Sequence, residues 1–100
     1  MNEKYYVQIK ETAWEDIESI YHYIVKTFKS IETAERHYEA FIQGISELAY
    51  DAEIRCGYVE RKGILLYRKM VRNYLVLYSV NGGLVTVLRV IYKKSDISFY

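Results

Sequence analysis

One hundred residues, just over half of them apolar, are enough for one domain with a buried core and too few for two. The absence of proline and the apolar content exclude a disordered chain, and a single cysteine, Cys56, excludes an intramolecular disulfide or a thiolate metal cluster. The formal net charge of +1 conceals a division: residues 1–53 carry five basic side chains against eleven acidic ones, a net of −6, and residues 54–100 carry nine against two, a net of +7.

Tyr5 to Lys10 alternates Tyr5, Val7 and Ile9 with Tyr6, Gln8 and Lys10, the period of a strand with one buried face. No apolar run of a secretion signal precedes it, and no later segment approaches the roughly 20 apolar residues of a membrane span. A cytoplasmic protein without a membrane partner is expected. Thr12 and Glu15 have the spacing of a capping box and predict the start of a helix. Its apolar positions Ala13, Ile17, Ile20, Tyr21, Ile24 and Phe28 recur at intervals of three and four, and the helix should run to about Thr27. Acidic residues at its start and Lys26 and Lys29 at its end suit the helix dipole.

Ser30 is placed to cap a second helix, with the stripe Ile31, Ala34, Tyr38, Phe41, Ile45 and Leu48, expected to span Ser30 to Ala49. So short a connection folds the two helices into an antiparallel hairpin. The opposite face, with Glu32, Glu35, Arg36, Glu39, Gln43 and Glu47, reads as solvated surface. Gly44 weakens the helix and suits a close backbone approach. Asp51 to Gly63 reads as a basic connector, with a short strand near Gly57 to Glu60.

Leu65 to Tyr92 contains three runs rich in β-branched and aromatic residues, broken at Arg72-Asn73 and at Asn81-Gly82-Gly83. This is the pattern of a three-stranded meander, in which Asn-Gly supplies the positive φ of a tight turn. The twelve tyrosines suit half-buried sheet faces, each ring bringing apolar area and a polar tip. The expected fold class is therefore α+β: a helical hairpin on a mainly antiparallel four-stranded sheet, with Tyr5 to Lys10 alongside the meander in one domain of residues 1–100.

Few reaction chemistries survive inspection. His22 and His37 lie on different helices with no ligand spacing around them, so neither a metal nor any other cofactor is expected. No histidine follows Cys56, and no phosphate-binding or dinucleotide fingerprint occurs. What remains is a set of cations: Arg55, Arg61, Lys62, Arg68, Lys69, Arg72, Arg89, Lys93 and Lys94. Alternation places Arg68 and Lys69 on opposite faces of one strand, so the set cannot converge on a single point. Arg89 interrupts an otherwise apolar strand and requires either an ion pair or an exposed functional face.

The order of elements, together with Ala13 to Ile24 (AWEDIESIYHYI), Asn73 to Gly83 (NYLVLYSVNGG) and Leu88 to Asp96 (LRVIYKKSD), resembles the RelE/ParE family of toxins from bacterial type II toxin-antitoxin modules. The resemblance covers nearly the whole chain. It implies a growth inhibitor restrained by a cognate antitoxin whose extended segment wraps it. It also implies one of two targets. One branch consists of metal-independent, ribosome-dependent messenger ribonucleases, for which Arg68, Arg89, Lys93, Lys94 and Tyr100 are the catalytic candidates here. The ParE-like branch binds and poisons DNA gyrase, with Arg61, Arg72, Leu75, Leu77, Arg89 and Tyr92 as candidate target or antitoxin contacts. The ribonuclease branch commonly has an arginine where this chain has Leu75, which favours the gyrase reading. The connector also departs from the family pattern in lacking a proline. A binding module that shares the fold is the third reading.

Overall fold

Turn chemistry sets the meander. The computed structural model describes residues 4–53, 58–62 and 64–93. After the N-terminal strand β1 (Tyr6–Ile9) come helices α1 (Glu11–Phe28) and α2 (Ile31–Ser46), a single helical turn α3 (Leu48–Asp51), and strands β2 (Tyr58–Arg61), β3 (Ile64–Val71), β4 (Tyr74–Asn81) and β5 (Leu84–Tyr92). Both later hairpins close through two residues, with Val71 paired to Tyr74 and Asn81 to Leu84. The first loop residue of each has positive φ, 54° at Arg72 and 63° at Gly82. Gly82 adopts this freely, whereas Arg72 does so against its side chain's preference.

The sheet has five strands in the order β1-β5-β4-β3-β2. Four were expected, and the fifth is the short connector strand, realised as β2 and paired antiparallel with β3. β1 lies parallel to β5, with Tyr6 opposite Leu84 and Ile9 opposite Val87. Along β1 the alternation holds: Val7 and Ile9 are half-buried, and Tyr6 and Gln8 are exposed.

One sheet face carries both helices. Val76, Tyr78, Val85, Val87 and Val90 meet Ala13, Ile17, Phe41, Ile45 and Leu48 in a continuous apolar core. Each valine fully buried there contributes roughly 1.5–3 kcal/mol relative to exposure. Tyr78 is wholly buried, and its hydroxyl donates to the Ala52 carbonyl at 2.6 Å, which satisfies the phenol the core would otherwise strand. Phe28 and Ile31, counted in the apolar stripes, lie at the helix junction and remain exposed.

Two helix boundaries differ from expectation for identifiable reasons. α1 begins at Glu11, and its N-cap Lys10 makes no side-chain cap. Thr12 falls inside the helix, past the cap position, and its hydroxyl donates to the Leu88 carbonyl at 2.8 Å. The second helix ends at Ser46 and resumes as α3 instead of running unbroken to Ala49. The interruption falls where the Gly44 carbonyl is taken by the Lys69 ammonium at 2.8 Å. Ser30 caps α2 as expected, its hydroxyl oxygen accepting from the Thr33 amide at 3.0 Å. Gly44 is also explained: a Cβ there would stand 2.7 Å from Val71 Cγ2 on β3.

Candidate functional site: an aromatic groove beside a locked arginine

β5 outruns its neighbour β1, whose pairing stops at Val87. A bulge follows at once, because Leu77 pairs with Arg89 and Tyr78 with Val87, leaving Leu88 unmatched. α1 covers the edge thus left open with two side chains one turn apart. Thr12 takes the Leu88 carbonyl, and an Asp16 oxygen accepts from the Val90 amide at 2.9 Å. The same carboxylate grips Arg89 through two contacts, Nε to Oδ2 at 2.7 Å and Nη2 to Oδ1 at 3.0 Å. Of the two environments expected for Arg89, an ion pair or an exposed functional face, the structure has the ion pair, in a paired, planar geometry.

Asp16 forms part of one wall of a groove of about 820 Å³ between the helical hairpin and the end of the sheet. Ile20, Tyr23, Phe28 and Tyr74 give its other walls a mainly apolar and aromatic character, interspersed with Ser19, Ser30, Thr33 and Asn73, and Tyr92 packs edge-on against Tyr74 at 5.5 Å. His37 also lines the groove, its Nδ1 3.0 Å from the Thr33 carbonyl and its ring edge-on to both Phe41 and Tyr74. Burial pushes the Tyr74 phenol above the usual tyrosine range. A concave surface of this size and composition suits apolar anchors presented by another chain.

Among the described residues no helix lies over the opposite sheet face. Leu75, Leu77 and Ile91 form a small apolar cluster there, each less than a tenth exposed. Arg68 stands beside Leu77 in register, and Met70 beside Leu75. Lys69 points the other way, as alternation requires, and is only 6% exposed. Its ammonium meets the Gly44 carbonyl and, at 2.7 Å, a Glu47 oxygen, so this cation belongs to the core.

The sequence candidates are therefore distributed over separate surfaces. Tyr92 is on the groove, Leu75, Leu77 and Arg68 are on the sheet face opposite the helices, and Arg72 is at a turn tip. Arg89 is bound to Asp16, and the exposed Lys93 leaves β5 with its amide donating to the Asn73 carbonyl. Arg61 lies in β2, while Cys56, Lys94 and Tyr100 fall outside the described residues. Asp16 and His37 escaped sequence reasoning as groove residues. Among the described residues no group of three histidine, cysteine or carboxylate side chains could hold a metal ion, and no helix is long and apolar enough to cross a membrane.

An α+β domain with this hairpin and sheet is the fold of toxin-antitoxin toxins. The chain is similar to a structure of the chromosomal ParDE toxin-antitoxin system from P. aeruginosa, with a TM-score of 0.75 and 17% identity over 89% of this chain and 96% of that one. It also resembles the RelBE2 toxin-antitoxin complex from Mycobacterium tuberculosis, with a TM-score of 0.63 and 19% identity over 89% and 98% of the two chains. A third likeness is to the archaeal RelE-RelB complex from Pyrococcus horikoshii OT3, with a TM-score of 0.63 and 22% identity over 93% and 99%. No individually curated protein matches the sequence. The family model described as the ParE toxin of the type II toxin-antitoxin system, parDE, matches residues 7–97, and the chain belongs to that family.

Proposed function

We propose that this chain inhibits bacterial growth by binding DNA gyrase in the cytoplasm, and that a cognate antitoxin restrains it by seating apolar side chains in the aromatic groove. The observation that carries the target is Leu75. Where the ribonuclease branch commonly has an arginine, this chain has a leucine only 7% exposed, packed with Leu77 and Ile91. In-line cleavage of RNA requires preorganised cations around a doubly charged phosphoryl centre, and losing one typically costs about two to three orders of magnitude in rate. Arg89 is already paired with Asp16 and Lys69 is buried against α2, so of Arg89, Lys69 and Lys93 it is the exposed Lys93 that is left to supply the missing charge, and the test below includes it. The groove supports the antitoxin reading, because exposed Tyr23 and Phe28 beside Tyr74 and Tyr92 offer the residue types of binding hot spots.

The test is purified protein added in parallel to a gyrase supercoiling assay and to a translating extract with primer-extension readout. Inhibited supercoiling with intact messenger is the expected result. Codon-phased cuts in the messenger, abolished by Arg89→Ala or Lys93→Ala, overturn the assignment in favour of a ribosome-dependent messenger ribonuclease. Harmless overexpression of the folded protein points instead to a binding module. For the antitoxin, a small reading frame next to the gene should relieve growth arrest, and Tyr23→Ala or Tyr92→Ala should weaken the complex.

A further inference from the structure

No aspartate or glutamate occurs between Arg61 and Ser95, the stretch that supplies β3, β4, β5 and the turns between them. Apart from Glu60 in β2, the described carboxylates belong to the helices or lie within a few residues of them. The charge division of the sequence is thus a division between layers. Two of the sheet cations, Lys69 and Arg89, are committed to Glu47 and Asp16. Lys62, Arg68, Arg72 and Lys93 reach solvent, and among the described residues no carboxylate pairs with them. Lys62 lies in the turn before β3 and Arg72 in the turn after it, roughly 30 Å apart at the rise of an extended strand, with Arg68 between them on the face opposite the helices. The Lys93 amide bonds the Asn73 carbonyl, which sets it beside the Arg72 turn, and alternation after the groove-lining Tyr92 turns its side chain to the same face as Arg68. Lys62 and Arg72 hold φ of 53° and 54°, a region that glycine occupies freely. A long cationic side chain kept at such a backbone marks a position where the side chain matters more than the turn.

We infer that this cationic side of the sheet binds double-stranded DNA through its phosphates, with Arg68, Arg72 and Lys93 as the contacts. Charges of one sign on one face, with the acids on the other layer, make a local positive potential that the near-neutral total conceals. Arg68 and Arg72 stand about 13 Å apart, close to the roughly 12 Å width of the major groove, so their guanidiniums reach phosphates on both of its edges. A duplex fits better than a single strand, because recognition of single strands stacks bases on exposed aromatic rings. Here Tyr67, Tyr74, Tyr78 and Tyr92 all turn to the helical side. The exposed Tyr6 stands on β1, three strands away from β3. Contacts to phosphate fix position without reading bases, so the binding is independent of sequence. It goes beyond the choice of target, since the chain makes this contact by itself.

Fluorescence anisotropy of a short labelled DNA duplex, titrated with the full-length protein, tests the contact. Saturable binding is expected, with a logarithmic salt dependence of slope about −2.7 for three phosphate contacts, reduced by about 0.9 for each cation removed. At about 0.1 M salt, Arg68→Gln and Arg72→Gly should each weaken binding by roughly fivefold to tenfold. Arg72→Gly also relieves the left-handed backbone, so its melting temperature should hold or rise while its affinity falls, a split that a purely structural arginine would not give. Lys26→Gln, on α1 in the helical layer, should leave the affinity unchanged. Absence of saturable binding, or tighter binding of a single-stranded RNA of the same length, overturns the inference. So does unchanged duplex affinity in Arg68→Gln and Arg72→Gly, or an equal loss in Lys26→Gln.

Discussion

The Lys69 ammonium reaches from β3 into the helical layer and donates to the Gly44 carbonyl at 2.8 Å and to a Glu47 oxygen at 2.7 Å. Lys69 is almost wholly buried, whereas Glu47 remains 45% exposed, so the two partners respond differently to removal. Glu47→Ala leaves a buried charge with a single acceptor and should cost about 2–3 kcal/mol. Lys69→Met keeps the packing volume and lets Glu47 hydrate, so it should cost less. Urea denaturation midpoints of the two variants provide the comparison, and a larger loss for Lys69→Met would contradict this account.

Gly44→Ala sets two effects against each other. Alanine favours the helix by roughly 1 kcal/mol, but its methyl would stand 2.7 Å from Val71 Cγ2, and a β-branched strand residue cannot swing away. The clash should win, giving a net loss of about 1–3 kcal/mol. In a Val71→Ala background the same substitution should become neutral or favourable. A double-mutant cycle measures that reversal.

Asp16 serves three donors, two on Arg89 and the Val90 amide. Asp16→Ala leaves the Val90 amide at a strand edge without its acceptor and removes both contacts to Arg89, and should destabilise the protein by about 2–4 kcal/mol. Asp16→Asn keeps an acceptor for Val90 and should lose roughly half of that. Hydrogen exchange at the Val90 amide should accelerate markedly in the alanine variant and less in the asparagine one.

Lys29 ends α1 in the left-handed region at φ 55°, a position where glycine carries no side-chain penalty. Lys29→Gly should raise stability by about 0.5–1 kcal/mol, visible as a higher melting temperature. No change, or a loss, would show that the lysine side chain contributes at the helix junction.

Alkaline solution should weaken the fold through its tyrosines. Tyr21 is raised chiefly by its hydrogen bond to Glu35, Tyr5 by its bond to Glu53, and Tyr74 by burial. In each case the folded pKa lies above the unfolded value of 10.0, so the unfolded chain releases its proton first. The associated stability is fully present below pH 10.0 and is lost as pH rises through the folded values. Ultraviolet titration of phenolate should show late-ionising groups in the native protein, and Tyr21→Phe should remove one of them.

Features decided within a few residues were legible in the sequence, among them the Ser30 cap, the Gly82 turn and the opposition of Arg68 and Lys69. Those decided by distant pairing were not. Arg89 declared a need for an ion pair or an exposed functional face, but choosing Asp16 among eleven acidic residues in the first half requires the bulge at Leu88, which no local pattern announces. Thr12 had the spacing of a cap and instead serves a strand 76 residues away. Gly44 was the one hint of a buried contact at α2, and Lys69, its partner, gave no sign of burial. The groove combines residues from α1, α2, β4 and β5, so its walls come together only once the hairpin is laid on the sheet.

The parallel pairing of β1 with β5 joins side chains such as Gln8 and Thr86 across 78 positions of chain. During synthesis the first strand emerges with no neighbour, and the helical hairpin follows with no floor to rest on. Both wait for Val85, Val87 and Val90, which lie in the last described strand to leave the ribosome. Closing so long a loop is slow compared with forming a helix or a hairpin. A translation event that aborts before Leu84 therefore yields a polypeptide lacking the strand that β1, β4 and α1 all require. The groove and the core beneath the helical hairpin therefore form only once β5 has been made.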